Sequence, residues 1–438
     1  MNRPQGRSGG KPRSMRSGWA RLYVQALEDR SHPAWLALRQ LGVRGITALK
    51  FVLGARLLGP GAIGMVGVAL LALAVTEAMS DTGLAEAVVQ RVQPLQRDEA
   101  GAVWTLQLAR GVGLGALLAA LSPWICSYFR VPQAQPLVLL AALTLLPRNA
   151  INPGYILAHR ARDFRTLAWV SLAAGTLDLA VGIGAVIAGS GAIGLLLGTL
   201  LDDVCILLVS WTIFRMALAP NLRWRSIASL TGFGKWVWST SVLTLLVHQM
   251  DKVVIARLLG PIELGLYQVA QKLAQLVLVD TAGLFGQYLY PTLAQINRRS
   301  AAAARSYMGA LLRRYAPGMV LAAGLLSFLA GPLVALTFGP RWSAAAPMLR
   351  LLAGYGLANG LLIVLVVYVR AIGHPRWVSH AALLQLLVMS AAMAPLYLAL
   401  ALSGVALALI VATSSAVLAL AWAAWRHVPA GEPAAGPG

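Results

Sequence analysis

The sequence predicts an all-α integral membrane protein, with twelve transmembrane helices in two pseudo-symmetric six-helix lobes. Three observations predict it. Of 438 residues, 58% are hydrophobic and only 12% charged, with a mean hydropathy of +0.71; a soluble domain carries about 25% charged residues. After residue 35 the chain is a series of apolar blocks of about 20 residues, each long enough to cross roughly 30 Å of hydrocarbon. The hexapeptide Ala55-Arg56-Leu57-Leu58-Gly59-Pro60 returns verbatim as Ala256-Arg257-Leu258-Leu259-Gly260-Pro261, and Gly64 is matched by Gly265 at the same offset of 201 residues.

Residues 1–35 read as a basic cytoplasmic arm. Its first 18 residues are polar and rich in Gly and Ser, with no apolar stretch or cleavage site of a signal peptide behind them. Trp19, Leu22, Tyr23 and Ala26 then share one helical face, which suits a helix lying on the membrane surface or docked on the protein. The N-lobe, 36–220, is expected to hold helices at 36–57, 62–82, 102–125, 135–158, 167–188 and 192–214. The C-lobe, 221–428, is expected to hold helices at 234–257, 262–289, 309–330, 345–369, 377–399 and 402–425, before a tail at 429–438. The tightest join falls at Gly189–Gly191. Leu146-Pro147-Arg148-Asn149 predicts a kink, and Gly111-Val112-Gly113-Leu114-Gly115 predicts close helix packing rather than a phosphate loop.

The net charge of +21 is explained by topology rather than by nucleic acid. With both termini in the cytoplasm, the inward segments collect 24 of the 36 basic residues and the outward loops only Arg56, Arg130, Arg257 and Arg341. All connections then obey the positive-inside rule. Two parallel halves related by an axis along the membrane normal are a transporter plan, with the substrate site between them.

A charged group near the bilayer centre costs roughly 2.5–3.5 kcal/mol, so those present should face a cavity, a partner or the interface. Arg44, Lys50, Arg148, Lys252 and Lys272 are the candidate cavity cations. A cluster of that kind suits an anionic lipid pyrophosphate, since Arg binds phosphate bidentately and Lys as a point charge. Asp178, Asp251 and Asp280 are the candidate ion-coupling or gating carboxylates, with Glu77 and Asp81 weaker ones. Lys50 and Asp251 stand one repeat apart, so they either pair across a central cleft in one access state or pair each within its own half. Asp202 and Asp203 are expected in ion pairs with arginines. Cys126 and Cys205 lie in apolar segments and indicate neither a disulfide nor a metal cluster. No catalytic or metal-ligating constellation is present, and no loop is long enough to hold an extramembrane domain.

Several stretches resemble the oligosaccharide flippases of the polysaccharide transporter family, in the superfamily that includes multidrug extruders and lipid II flippases. They are Ala55 to Gly64, Asp81-Thr82-Gly83-Leu84 and Val89-Gln90-Arg91 in the first half. In the second they are Phe233-Gly234, Asp251-Lys252, Ala256 to Tyr267, Tyr290-Pro291, and Phe338-Gly339-Pro340-Arg341-Trp342 leading to Leu349-Arg350-Leu351-Leu352-Ala353. The resemblance implies a V-shaped bundle around a cationic cavity, in a bacterial inner membrane. It would turn an undecaprenyl-pyrophosphate-linked oligosaccharide to the outer leaflet by alternating access, for lipopolysaccharide or exopolysaccharide export. It further implies no cofactor beyond a coupling ion (H+ or Na+), membrane lipids as surroundings, and a polysaccharide polymerase as a candidate partner. A drug or organic-cation antiporter of the same superfamily is the alternative, and a membrane polysaccharide polymerase or ligase a more distant one.

Overall fold

The chain enters α1 (Pro33–Leu57) through a proline at its first position, where a missing N–H costs nothing and the fixed φ is already helical; His32 Nδ1 accepts from Ala34 N at 3.2 Å as the cap. This computed structural model describes residues 30, 32–80, 97–218 and 234–427, and helices are the only regular structure among them. The basic arm up to residue 29, its surface helix, the segment 81–96 with Asp81, and the residues after 427 lie outside the described residues.

In the first half α2 (Pro60–Met79) again begins on proline, and α3 (Arg97–Tyr128) follows. Then come α4 (Gln135–Asn149) and α5 (Pro153–Arg160), bent 66° from each other. The expected kink thus sits just beyond Pro147-Arg148-Asn149. The bend frees backbone groups that need partners. The indole N–H groups of Trp104 and Trp211 both donate to the Ala150 carbonyl at 3.0 Å, and Asn152 Oδ1 accepts from Gly154 N at 2.9 Å. α6 (Phe164–Ala185) runs through a π turn into a reversal at Gly189 and Gly191, both at positive φ, and α7 (Ala192–Thr212) returns.

The second half opens with the same turn but breaks its helices at other places. It contains α8 (Gly234–Leu258), α9 (Pro261–Ala274), a π turn at Gln275–Val279, and α10 (Asp280–Arg299). α11 (Ala301–Phe328) is bent 65° from α12 (Ala330–Thr337), and α13 (Ala345–Ala371) and α14 (Pro375–His427) complete it. α14 is not one straight rod. Ala401 has φ 49° and ψ −124°, a Cβ on Gly404 would lie 1.9 Å from the Leu396 carbonyl oxygen, and Gln385 Nε2 donates to Thr413 Oγ1 at 3.1 Å. In a straight helix those partners would stand about 12 and 42 Å apart. The chain therefore reverses at Ala401, a tighter join than the one at Gly189–Gly191.

Six described helices are long and apolar enough to cross a membrane, or eight if each bent pair is one span. Twelve were expected, and the shortfall has local causes. α1 carries Arg39, Arg44, Lys50 and Arg56, α8 carries His248, Gln249, Asp251, Lys252 and Arg257, α9 is cut to 14 residues by its π turn, and the hairpin α14 is a single run. The chain is a multi-pass membrane protein on these spans.

Each half packs by the same scheme: α1 lies on α6 as α8 lies on α14, α2 on α4 as α9 on α13, and α3 on α4 as α11 on α13. The Gly111–Gly115 stretch does the expected work. A Cβ on Gly111 would meet the Leu145 carbonyl at 2.9 Å and one on Gly115 the Ala142 carbonyl at 3.1 Å, which lets α3 approach α4. The halves join where α2 packs along α9 and α8.

Candidate functional site

The polar groups inside this apolar bundle fall into three places. In the first half, Lys50 on α1 is 8% exposed and donates to the Asp178 carboxylate on α6. It also donates to the Leu195 carbonyl at 2.7 Å and to Thr199 Oγ1 at 3.0 Å. An ammonium has three protons, and three acceptors take them. Lys50 is therefore not presented to a cavity, and it pairs within its own half rather than with Asp251. Glycine makes the room: a Cβ on Gly198 would sit 2.6 Å from Asp178 Oδ1 and one on Gly182 3.0 Å from Lys50 Cε.

Beside this pair, Arg148 at the end of α4 donates through Nε to Asp203 Oδ2 at 2.8 Å and through Nη1 to Glu77 Oε1 at 3.1 Å. Arg110 on α3 reaches Ser80 Oγ and the Glu77 carbonyl, both at 3.1 Å. Asp202 lies within electrostatic reach of Lys50, Asp178 and Arg148. The result is one network with three cations and four carboxylates.

In the second half, Asp251 on α8 is 1% exposed. Its Oδ2 accepts from Tyr267 OH at 2.5 Å and from Gln271 Nε2 at 3.3 Å, while Oδ1 has no partner among the described residues. Lys252 next to it donates to Gln249 Oε1 at 2.9 Å and to the His248 carbonyl at 3.3 Å, and forms no ion pair among the described residues. Lys252, with His248, Gln249 and Gln271, lines a cavity of about 310 Å³ between α8, α9 with its π turn, and α13, and Asp251 lies behind it. Lys272 on α9 is half-buried and has no hydrogen-bond or ion-pair partner among the described residues.

Between the halves, Arg44 on α1 stands 3.6 Å from Asp280 on α10, and Gln287 Nε2 donates to Gln40 Oε1 at 3.0 Å. Trp238 Nε1 donates to the Met79 carbonyl at 2.9 Å, closing the other seam, between α8 and α2. Asp280 and Met79 are repeat mates, so the two seams are held at equivalent places by different chemistry. Among the described residues, no three His, Cys, Asp or Glu side chains are grouped to hold a metal.

The repeated hexapeptides hold the opposite end shut, and they do so reciprocally. A Cβ on Gly64 would lie 1.7 Å from the Pro261 carbonyl oxygen, and one on Gly265 would lie 2.1 Å from that of Pro60. Each half thus supplies a glycine to the first turn of the other half's helix. Arg56 donates to the Thr337 carbonyl at 2.5 Å and to the Leu336 carbonyl, at the negative end of α12, while Arg257 lies 4.9 Å from the ring centroid of Tyr128. Trp342 Nε1 adds a bond to the Ala55 carbonyl at 2.9 Å. Replacing both Arg56 and Arg257 by alanine is expected to raise the labelling rate of a cysteine at buried Ala55 by an impermeant maleimide about tenfold, the factor that roughly 1.4 kcal/mol of lost bonding gives. An unchanged rate would show that the glycine crossing alone holds this end.

The sequence located the charged side chains but not the carboxamides beside them. Gln249, Gln271, Gln275 and Asn359 carry no charge, so a search for buried charges passes over them, whereas comparison of the two repeats singles them out.

The family described as polysaccharide biosynthesis protein matches residues 53–347. The lipopolysaccharide biosynthesis protein WzxC of Escherichia coli (strain K12) is 22% identical over 342 residues, 75% of this chain and 66% of that protein. The succinoglycan biosynthesis transport protein ExoT of Rhizobium meliloti (strain 1021) is 25% identical over 338 residues, 75% of this chain and 65% of that protein. The chain thus spans a little under two thirds of the length of these relatives. Among solved structures, the lipid II flippase MurJ in an inward closed conformation superposes with a TM-score of 0.71 at 15% identity, covering 88% of this chain and 86% of that one. An inward-facing MATE family multidrug resistance transporter of the MOP superfamily superposes with a TM-score of 0.63 at 16% identity, covering 87% and 93%. The fold is therefore that of these transporters, and the match over two thirds of its length makes the chain a member of the polysaccharide biosynthesis protein family.

Proposed function

We propose that the chain is a flippase that carries a lipid-pyrophosphate-linked oligosaccharide across a bacterial inner membrane by alternating access, with no catalytic chemistry of its own. In this reading twelve helices form two six-helix lobes, the residues 36–220 and 221–428, with both termini in the cytoplasm. The observation that carries it is the reciprocal crossing of Gly64 and Gly265, which closes one end of two alike halves and leaves polar seams toward the other. Two bodies hinged in that way rock without repacking their interiors.

Arg44 and Lys272 are the cations left for the cargo's anionic group, since Lys50 and Arg148 are already engaged by carboxylates and Lys252 stands next to the buried Asp251. Asp251, with one unpartnered oxygen, is the coupling carboxylate for H+ or Na+, Asp280 a gating group against Arg44, and Asp178 the counter-ion of Lys50. A polysaccharide polymerase would take the delivered intermediate.

In cells depleted of the protein, lipid-linked oligosaccharide is expected to accumulate where an external glycan probe cannot reach it, and Asp251→Asn to fail to clear it. Intermediates that reach the outer leaflet unpolymerised would place the protein after translocation, as an enzyme. One observation favours the antiporter reading: the first-half network holds four carboxylates against three cations, the balance an organic cation prefers. Altered drug sensitivity with unchanged glycan would decide for it.

A further inference from the structure

The cavity between α8, α9 and α13 is lined almost wholly by groups that neither the fold nor a phosphate needs. Four of them are carboxamides: Gln249, Gln271, Gln275 and Asn359. Their repeat mates settle the first point. The positions equivalent to Gln249, Lys252, Gln271 and Gln275 in the first half are Ala48, Phe51, Leu70 and Ala74, all apolar. The same helices fold and pack by the same scheme with those apolar residues, so the amides are not there to hold the helices together.

Charge and hydrogen-bonding capacity address the second point. Lys252 and the buried Asp251 behind it leave the cavity formally neutral, which is poor for a doubly anionic diphosphate. A deprotonated phosphate oxygen only accepts, whereas each carboxamide presents an acceptor beside a donor. That pairing matches vicinal hydroxyls, where each oxygen also both gives and takes. Much of the capacity is unspent. Gln275 makes no hydrogen bond among the described residues, Gln271 uses only a long 3.3 Å contact, and Asn359 is engaged only as a donor to Tyr355 OH at 2.8 Å. Gln275 is exposed, but Gln271 and Asn359 are half-buried, and spare hydrogen-bonding capacity on such amides is costly, so this wall suits a polar occupant. The volume of about 310 Å³ is at the lower edge of small-molecule sites, about 300–1,000 Å³, and admits a sugar ring rather than a whole repeat unit.

The backbone supports a shaped site. The π turn Gln275–Val279 interrupts the run from α9 to α10 beside the cavity, as π turns often do at functional places. α13 approaches it closely because Gly356 and Gly360 face Leu278, where Cβ atoms would lie 2.6 Å from Leu278 Cδ1 and 3.5 Å from the Leu278 carbonyl. Tyr355 and Asn359, one turn apart on that helix, are thereby held against the cavity.

We infer that this pocket is a sugar subsite, which takes a hydroxylated ring of the cargo through the carboxamides while its diphosphate lies on cations elsewhere. The inference rests on the flippase reading and adds where the glycan is recognised. Only the second half would then read the sugar.

The test uses the purified full chain in detergent and tryptophan fluorescence titration with two probes. One is lipid-linked oligosaccharide extracted from cells depleted of the protein; the other is undecaprenyl pyrophosphate without sugar. Wild type is expected to bind the glycosylated probe more tightly. Gln271→Leu, Asn359→Leu and Gln275→Ala should each lower that affinity about tenfold, as loss of one hydrogen-bonding partner does, and leave the sugar-free probe unchanged. Circular dichroism and unliganded melting temperature identify any variant that has misfolded, and solvent-facing Gln275→Ala keeps the test open if the others do. Equal binding of both probes by wild type, or variants that bind the glycan normally, would overturn the sugar subsite and leave the flippase reading standing. Equal loss of both probes in the variants would make the pocket a diphosphate site. Loss of only a Na+-dependent signal would make it an ion site, and either result overturns the proposal. Failure of wild type to bind either probe would sink the flippase reading itself.

Discussion

Replacement of Gly64 or Gly265 by leucine is expected to abolish export while the chain still reaches the membrane. At both positions the added Cβ would fall within 1.7–2.1 Å of a proline carbonyl oxygen in the first turn of the opposing helix. That neighbour is backbone, so no rotamer change relieves the overlap, and α2 and α9 must separate. Overpacking a tight contact costs about 1–3 kcal/mol and sometimes more, and here the whole of it is charged to the closed state. The equilibrium should move toward the state in which this end is open, at a cost in stability seen as a lower melting temperature. Gly113→Ala is the control, because a Cβ there meets nothing within 4 Å and alanine is the better helix former. Normal export by Gly64→Leu would mean that the crossing is loose or that the cycle never passes through it.

The second large effect is expected at Lys50. Lys50→Ala leaves Asp178, 15% exposed, opposite no cation, and breaking a fully buried pair from one side costs about 3–5 kcal/mol, the upper bound here. The purified variant should melt well below wild type or be lost from the membrane. Lys50→Leu combined with Asp178→Leu should recover most of that stability, since a pair replaced by apolar groups of similar volume is often neutral or better. Export measured in the stable double variant then separates two roles. Restored export makes the pair structural, whereas a stable but inactive protein gives it a part in the transport cycle.

The segmentation of the chain was legible in the sequence because hydropathy is a local property. Each expected segment overlaps a helical run among the described residues, although 135–158 and 309–330 cross bends of 66° and 65° and the end of 62–82 lies outside those residues, and Gly111 and Gly115 pack as closely as expected. What escaped was the interior detail of long apolar runs. The π turns after Ala185 and Ala274 were not read from the sequence, because each replaces one helical hydrogen-bond pattern by another without interrupting the helix, whereas the reversal at Ala401 falls in the break expected between 399 and 402.

The candidate site divides in the same way. Arg148 and Lys50 were visible as charges in apolar helices, but their partners Asp203 and Asp178 are 55 and 128 residues distant. Which of them meet depends on the rotation of α1, α4, α6 and α7 about their axes, and sequence spacing does not report it. The carboxamides around the second-half cavity passed unnoticed because an amide in a helix incurs no visible penalty until burial is known.

The sequence by itself determined that this is a multi-pass helical membrane protein with an internal repeat, and it marked the turn, the arginine and the glycine of each half. Those features follow from hydropathy and identity along the chain, which act locally. Only the tertiary structure decided that the glycines cross reciprocally, that Lys50 and Arg148 are spent on carboxylates, and that Lys252 and four amides face open volume. The reason is physical. In a low-dielectric interior a charge is worth what its nearest partner makes it, and that partner is set by how the helices pack.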